Sequence, residues 1–271
     1  MLRRLKTIGL IFSAKGLFIA ASAVLSTYLC LRFSIQGDFP LTLIATAVIF
    51  PIVFSINSAY KRRESVLDDY GQMKAHGRAI FFAVRDWLDD ADPARLDACR
   101  NLFGDLLASI RDLYRGARSE MPEREIRVYS CFSDLSRFIR EDLRQAGLAS
   151  GEVSRCNQYL SKIIVAFEHT KHVYQYRTPR TLRAFSDFFI TVLPPLYGPY
   201  FAYQAADYSP AWLIYLMPVL FALVLSALDN IQEHLENPFD QIGQDDVIIN
   251  AEKFCDHLKV TSALSAADLK I

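Results

Sequence analysis

The stretch Leu41–Glu64, LTLIATAVIFPIVFSINSAYKRRE, decides the fold. Its first half is an apolar run. Its second half turns polar at Ser55 and ends in the basic run Lys61–Arg62–Arg63. A helix rises about 1.5 Å per residue, so roughly 20 apolar residues cross the hydrocarbon of a bilayer. The run therefore reads as a membrane helix with Asn57, Ser58 and Tyr60 near the inner water interface and the three cations anchoring that end in the cytoplasm.

Working outward, a second apolar run lies upstream, preceded by MLRRLK and carrying Lys15 at its start. It has no small-x-small cleavage site before Gln36–Gly37, so it reads as a transmembrane helix over 16–33, with Lys15 snorkelling to the inner interface. The turn Gln36-Gly37-Asp38-Phe39-Pro40 joins the two as an outer hairpin. Downstream, Ala184–Tyr203 is a third apolar block, and Pro194, Pro195, Gly198 and Pro199 predict that it is broken. The fourth, from Trp212 to Leu228, begins with the aromatic pair Trp212 and Tyr215. Four crossings put both termini in the cytoplasm of an inner-membrane protein. The cations at 61–63 and at Arg177, Arg180 and Arg183 fall on that same side.

The 271 residues carry no net charge and 52% are hydrophobic, but the apolar residues concentrate in two blocks at the two ends. Neutrality gives no electrostatic case for nucleic acid. Residues 61–183 are as charged as a soluble helical protein, with apolar residues at helical spacing, as in Leu102, Phe103, Leu106, Leu107, Ile110, Leu113 and Tyr114. Asp92-Pro93 and Ser119 with Pro122 are helix starts; Gly116 and Gly147 are stops. Four cytoplasmic helices follow, over 62–90, 93–116, 122–146 and 151–177. The expected fold is an all-α membrane protein with four transmembrane helices and a cytoplasmic helical bundle. Its parts are a first hairpin (1–60), a helical insert (61–183), a second hairpin (184–235) and a C-terminal tail (236–271).

Five scattered cysteines include no C-x-x-C pair, which speaks against a disulfide framework or zinc site. His169 and His172 share a helix face, but neither they nor the other histidines make a metal spacing with acids. There is no nucleophile elbow, phosphate loop or catalytic carboxylate pair, so the chain is not expected to be an enzyme.

Two segments go beyond composition. Phe54-Ser-Ile-Asn57-Ser-Ala-Tyr60-Lys-Arg62-Arg-Glu64 resembles the end of the second membrane helix in the bestrophin family. Glu236-Asn237-Pro238-Phe239, with Gly243, Asp245 and Asp246 behind it, resembles that family's signature after the membrane. The order of elements also matches, over about residues 10 to 256. The resemblance implies a homopentameric ion channel in the lipid bilayer with one axial pore, conducting chloride or other small anions; some bacterial members are cation-selective. It also implies a hydrophobic neck of three side chains spaced by four, here Thr46, Phe50 and Phe54. Thr46 stands where the family has a large aliphatic residue. A deeper constriction falls near Arg177-Thr178-Pro179-Arg180; Arg180 replaces an aliphatic residue and reads either as an anion-favouring ring or as a positive-inside anchor beside Arg183. The family's calcium clasp corresponds to Glu236, Asn237, Asp240, Asp245 and Asp246, split here by Gln-Ile-Gly-Gln. These residues read either as an impoverished cation clasp or as a turn locking the tail onto the insert. The rival to a channel is a non-conducting membrane protein whose cytoplasmic helices bind a partner or sense a signal.

Overall fold

In the computed structural model, residues 13–38, 40–89, 92–176, 180–207, 212–239 and 246–268 are described, and among them there is no strand. The chain divides into two compact units. The first comprises residues 1–63, 177–238 and 242–245; the second comprises residues 64–176, 239–241 and 246–271.

The first unit is built from α1 (Ala14–Arg32), the start of α2 (Leu41–Asp86), α7 (Arg180–Leu196), α8 (Gly198–Tyr203) and α9 (Leu213–Glu236). By length and composition, α1, α2 and α9 are able to cross a membrane. The third apolar block is broken, as its prolines predict: α7 ends at Leu196, and α8 restarts at Gly198. The core is Ile19, Ala20 and Ala23 of α1, Val48 and Ile52 of α2, Ile190 and Leu193 of α7, Tyr197 and Phe201 at the break, and Ala222 and Leu225 of α9. Small residues let these helices approach closely. A Cβ on Gly16 would stand 2.9 Å from the Ser226 Cβ, so α1 and α9 meet there almost backbone to backbone.

The break is held by a hydrogen bond between helices. In an unbroken helix the Pro195 carbonyl would accept from the amide of residue 199, and Pro199 has none. The Ser26 hydroxyl of α1 supplies the donor instead, 2.6 Å from the Pro195 oxygen. At the other end of α1, Lys15 Nζ lies 3.0 Å from Asp187 of α7 and 2.8 Å from Asp229 of α9. One cation thus ties three helices, where the sequence suggested only snorkelling.

The largest departure from expectation is α2. The sequence predicts a membrane helix ending near 58 and a separate helix over 62–90; they are one helix of 46 residues. A change from apolar to polar residues alters what a helix faces, not whether it continues. Between Pro51 and Gly71 no residue breaks it.

The second unit comprises the rest of α2, α3 (Pro93–Arg115), α4 (Met121–Arg137), α5 (Leu143–Gln145), α6 (Ser150–Gln175) and α10 (Ala251–Asp268). Asp92 caps α3 through Ala94 N (3.0 Å), and Gly116 closes it. The helix expected over 122–146 is instead interrupted by a π-helical turn, Phe138–Asp142, before Gly147 ends it at φ +94°. The apolar stripes meet in one core that includes Phe81, Phe103, Ile110, Leu135 and Phe167.

Asp69 interrupts this core. It is 5% exposed and shares its helix face with Val66 and Met73; one carboxylate oxygen is buried without a hydrogen bond. The other lies 3.5 Å from His169 Nδ1. Burial raises its pKa above the usual aspartate value, against the attraction of His169. A carboxyl that holds its proton more tightly when folded stabilises the unit at low pH. That contribution is lost as pH rises through the shifted range. Asp69→Asn should therefore raise the melting temperature at pH 7 by about 2–4 °C, with the gain shrinking towards pH 4, as read by thermal scans across pH.

Candidate functional site

The candidate site is the face of α2 that its own unit leaves uncovered. Val48, Ile52, Ser55 and Ala59 are buried and lie at i, i+4, i+7 and i+11. The opposite face carries Leu43, Thr46, Phe50, Val53, Phe54, Asn57, Tyr60 and Lys61, all exposed. Phe50 and Phe54 are 60% and 55% exposed, so more than half of each lies outside the packing of this chain. Their rings touch edge to face, with centroids 4.7 Å apart. Thr46 shares the strip, and its hydroxyl donates to the Thr42 carbonyl at 2.6 Å, so its polar atom is turned back onto its own helix. The strip is apolar through Phe54 and polar from Asn57 onward.

Of the deeper residues, Arg180 opens α7. Its side chain and the Arg177–Pro179 stretch lie outside the described residues, as do Asp240 and Asp245. Glu236 is almost fully buried. One carboxylate oxygen accepts from Arg183 Nη1 (2.8 Å) and the other from Gln232 Nε2 (3.1 Å). Arg183 also reaches Glu233 at 3.0 Å. Both oxygens of Glu236 are thus engaged by side chains, and Asn237 follows at the end of α9. Among the described residues no three His, Cys, Asp or Glu side chains group as metal ligands would. Spacing along the chain gave no sign that Glu236 and Arg183 meet.

Phe239 of the Pro-Phe motif is 2% exposed within the second unit. It stacks on Tyr114, with centroids 4.2 Å apart, and meets Tyr174 edge-on at 5.9 Å. The Tyr114 hydroxyl bonds in turn to Thr170 (2.5 Å). The motif inserts an aromatic plug into the helical core. Phe239→Ala should cost about 3–4 kcal/mol, seen as a lower melting temperature and faster proteolysis of the chain after residue 239.

Lys171 organises the exposed edge of the same unit. Burial would depress its pKa, but hydrogen bonds to Glu125 (2.8 Å), Glu168 (2.7 Å) and Tyr129 (2.6 Å) outweigh this and hold it above the ordinary lysine value.

No protein-family profile and no curated protein matches the sequence. Solved structures do. A bacterial bestrophin homologue from Klebsiella pneumoniae superposes with a TM-score of 0.72 at 16% identity, covering 94% of this chain and 100% of that one. Another structure of that homologue, carrying a different point mutation, gives 0.73 at 17% identity over 92% and 100%. A crystal structure described as a membrane protein gives 0.72 at 17% over 92% and 98%. With the helical architecture, the apolar spans and these superpositions together, the chain has the fold of the bacterial bestrophin homologues.

Proposed function

We propose that this membrane protein is an ion channel of the bestrophin type. In this reading the chain crosses the inner membrane four times, with α7 and α8 forming the broken third crossing and both termini in the cytoplasm. Five copies surround one axial pore, and the rings contributed by Thr46, Phe50 and Phe54 form its hydrophobic neck. Small anions, chloride first, are the conducted ions. A cation clasp for calcium at the residues the resemblance suggests would compete with Arg183 and Gln232 for both oxygens of the buried Glu236.

One observation supports the reading most strongly. The α2 face bearing the neck residues is exposed through Phe54 and stays exposed at Asn57, Tyr60 and Lys61, while the opposite face is packed. Spacing by four keeps the three residues on one side, as copies of a helix around an axis require. Apolar rings in a narrow pore gate by expelling water rather than by blocking it sterically. The test is a reversal-potential measurement on protein reconstituted in a planar bilayer with asymmetric salt. Current reversing near the chloride potential supports the proposal. Reversal near the sodium potential keeps the channel but overturns the anion. No current in wild type, Phe50→Ala or Phe54→Ala overturns the channel.

A further inference from the structure

We propose that Lys74, Arg78 and Lys253 form a binding site for a phosphate-type dianion in the second unit. Lys74 and Arg78 stand one turn apart on α2. Lys74 Nζ lies 4.2 Å from the centre of the Tyr70 ring, and the Arg78 guanidinium lies 5.6 Å from that of Phe254. These rings belong to the contact between α2 and the start of α10. The Asn250 amide donates to the Tyr70 hydroxyl at 3.1 Å, and Asn250 Oδ1 caps α10 by accepting from Lys253 N at 2.8 Å. Lys253 therefore sits in the first turn of α10, next to the Phe254 that Arg78 overlies, and its charge is felt at Lys74.

Among the described residues no carboxylate pairs with this cluster. None of the three cations makes an ion pair there, and Glu252, beside Lys253 in the sequence, accepts from Arg111 at both carboxylate oxygens (2.7 and 2.8 Å). Burial, and then repulsion from Arg78 and Lys253, hold the Lys74 pKa below the ordinary lysine value. Two cations held on aromatic rings, with a third in the adjoining helix turn, recruit their counter-charge from solution. A dianion with several acceptor oxygens meets more of these donors than chloride does. The two aromatic rings hold the cationic groups in place, and the guanidinium edge remains a fork suited to two phosphate oxygens.

The phosphate group could be free or part of a lipid headgroup, and the test separates the two. The full chain, purified in detergent, is melted with inorganic phosphate at about 10 mM and with sodium chloride at equal ionic strength. It is then melted with dioctanoyl phosphatidylinositol 4-phosphate and with dioctanoyl phosphatidylcholine. The expected result is a rise of about 3 °C with phosphate over chloride. A rise with the phosphorylated lipid alone assigns the site to a headgroup and also supports it. Lys253→Glu, which places a carboxylate among the cations, should raise the melting temperature without ligand and abolish the response. Arg78→Gln should abolish the response without that gain. No shift with either phosphate probe, or an undiminished shift in both variants, overturns the site.

Discussion

Gly198→Ala should leave little properly assembled protein. The added Cβ would collide with the Ser26 Oγ and stand 3.0 Å from the Ser26 backbone carbonyl carbon and 3.1 Å from its Cβ. The hydroxyl could rotate away, but it would then release the Pro195 carbonyl, whose helical donor position is occupied by Pro199. The backbone carbon cannot move without separating α1 from the break. Overpacking and a lost buried hydrogen bond together amount to about 2–4 kcal/mol. Size-exclusion chromatography in detergent should show a reduced or aggregated peak. Ser26→Ala isolates the hydrogen bond and should cost only about 1 kcal/mol. Gly71→Ala sets the opposite sign: nothing lies within 4 Å of its added Cβ, and it sits inside α2. That substitution should stabilise by about 0.5–1 kcal/mol. A Gly198→Ala protein with wild-type yield and melting temperature would show that the close approach of α1 to the break is not a constraint.

The contrast between those glycines shows what the sequence could and could not reveal. That the third apolar block breaks was readable, because proline at 194, 195 and 199 removes helical donors wherever the block packs. That Ser26 repairs the break was not, because the partner lies 169 residues away and serine on an apolar helix has many uses. The same limit hid the bridge from Lys15 to Asp229, 214 residues apart, and the burial of Glu236 against Arg183. Local signals fared better: the Asp92 cap and the Gly116 and Gly147 stops follow from backbone chemistry confined to a few residues. Asp69 could have been found. It falls on the stripe of Val66, Tyr70 and Met73, and a carboxylate on an apolar stripe is a buried charge to be accounted for. For the candidate site, spacing put Thr46, Phe50 and Phe54 on one face. Only the packing of the other helices decides that this is the face left bare, because α2 is apolar on both sides over this stretch.

Phe50→Ala and Phe54→Ala should each raise ion flux in reconstituted liposomes by roughly tenfold, the double variant by more. In the proposed assembly each substitution would take a phenyl ring from every subunit at one level of the neck, widening it and lowering the cost of keeping it wet. A tenfold rise corresponds to about 1.4 kcal/mol off the barrier. The rings touch at 4.7 Å, so their effects should not be independent: removing one frees the other to reorient, and the double variant should depart from the product of the singles. Stability supplies the control. Both side chains are more than half exposed within the chain, so either truncation should shift the melting temperature little, whereas Ile52→Ala, at a fully buried position two residues from each, should cost about 2–4 kcal/mol. Thr46→Val should change flux less than either, because the Thr46 hydroxyl already donates to the Thr42 carbonyl. If the phenylalanines instead face lipid, neither truncation has a path to the permeating ion. Wild-type flux in both single variants and in the double, with the assembly intact by size-exclusion chromatography, would then refute the neck.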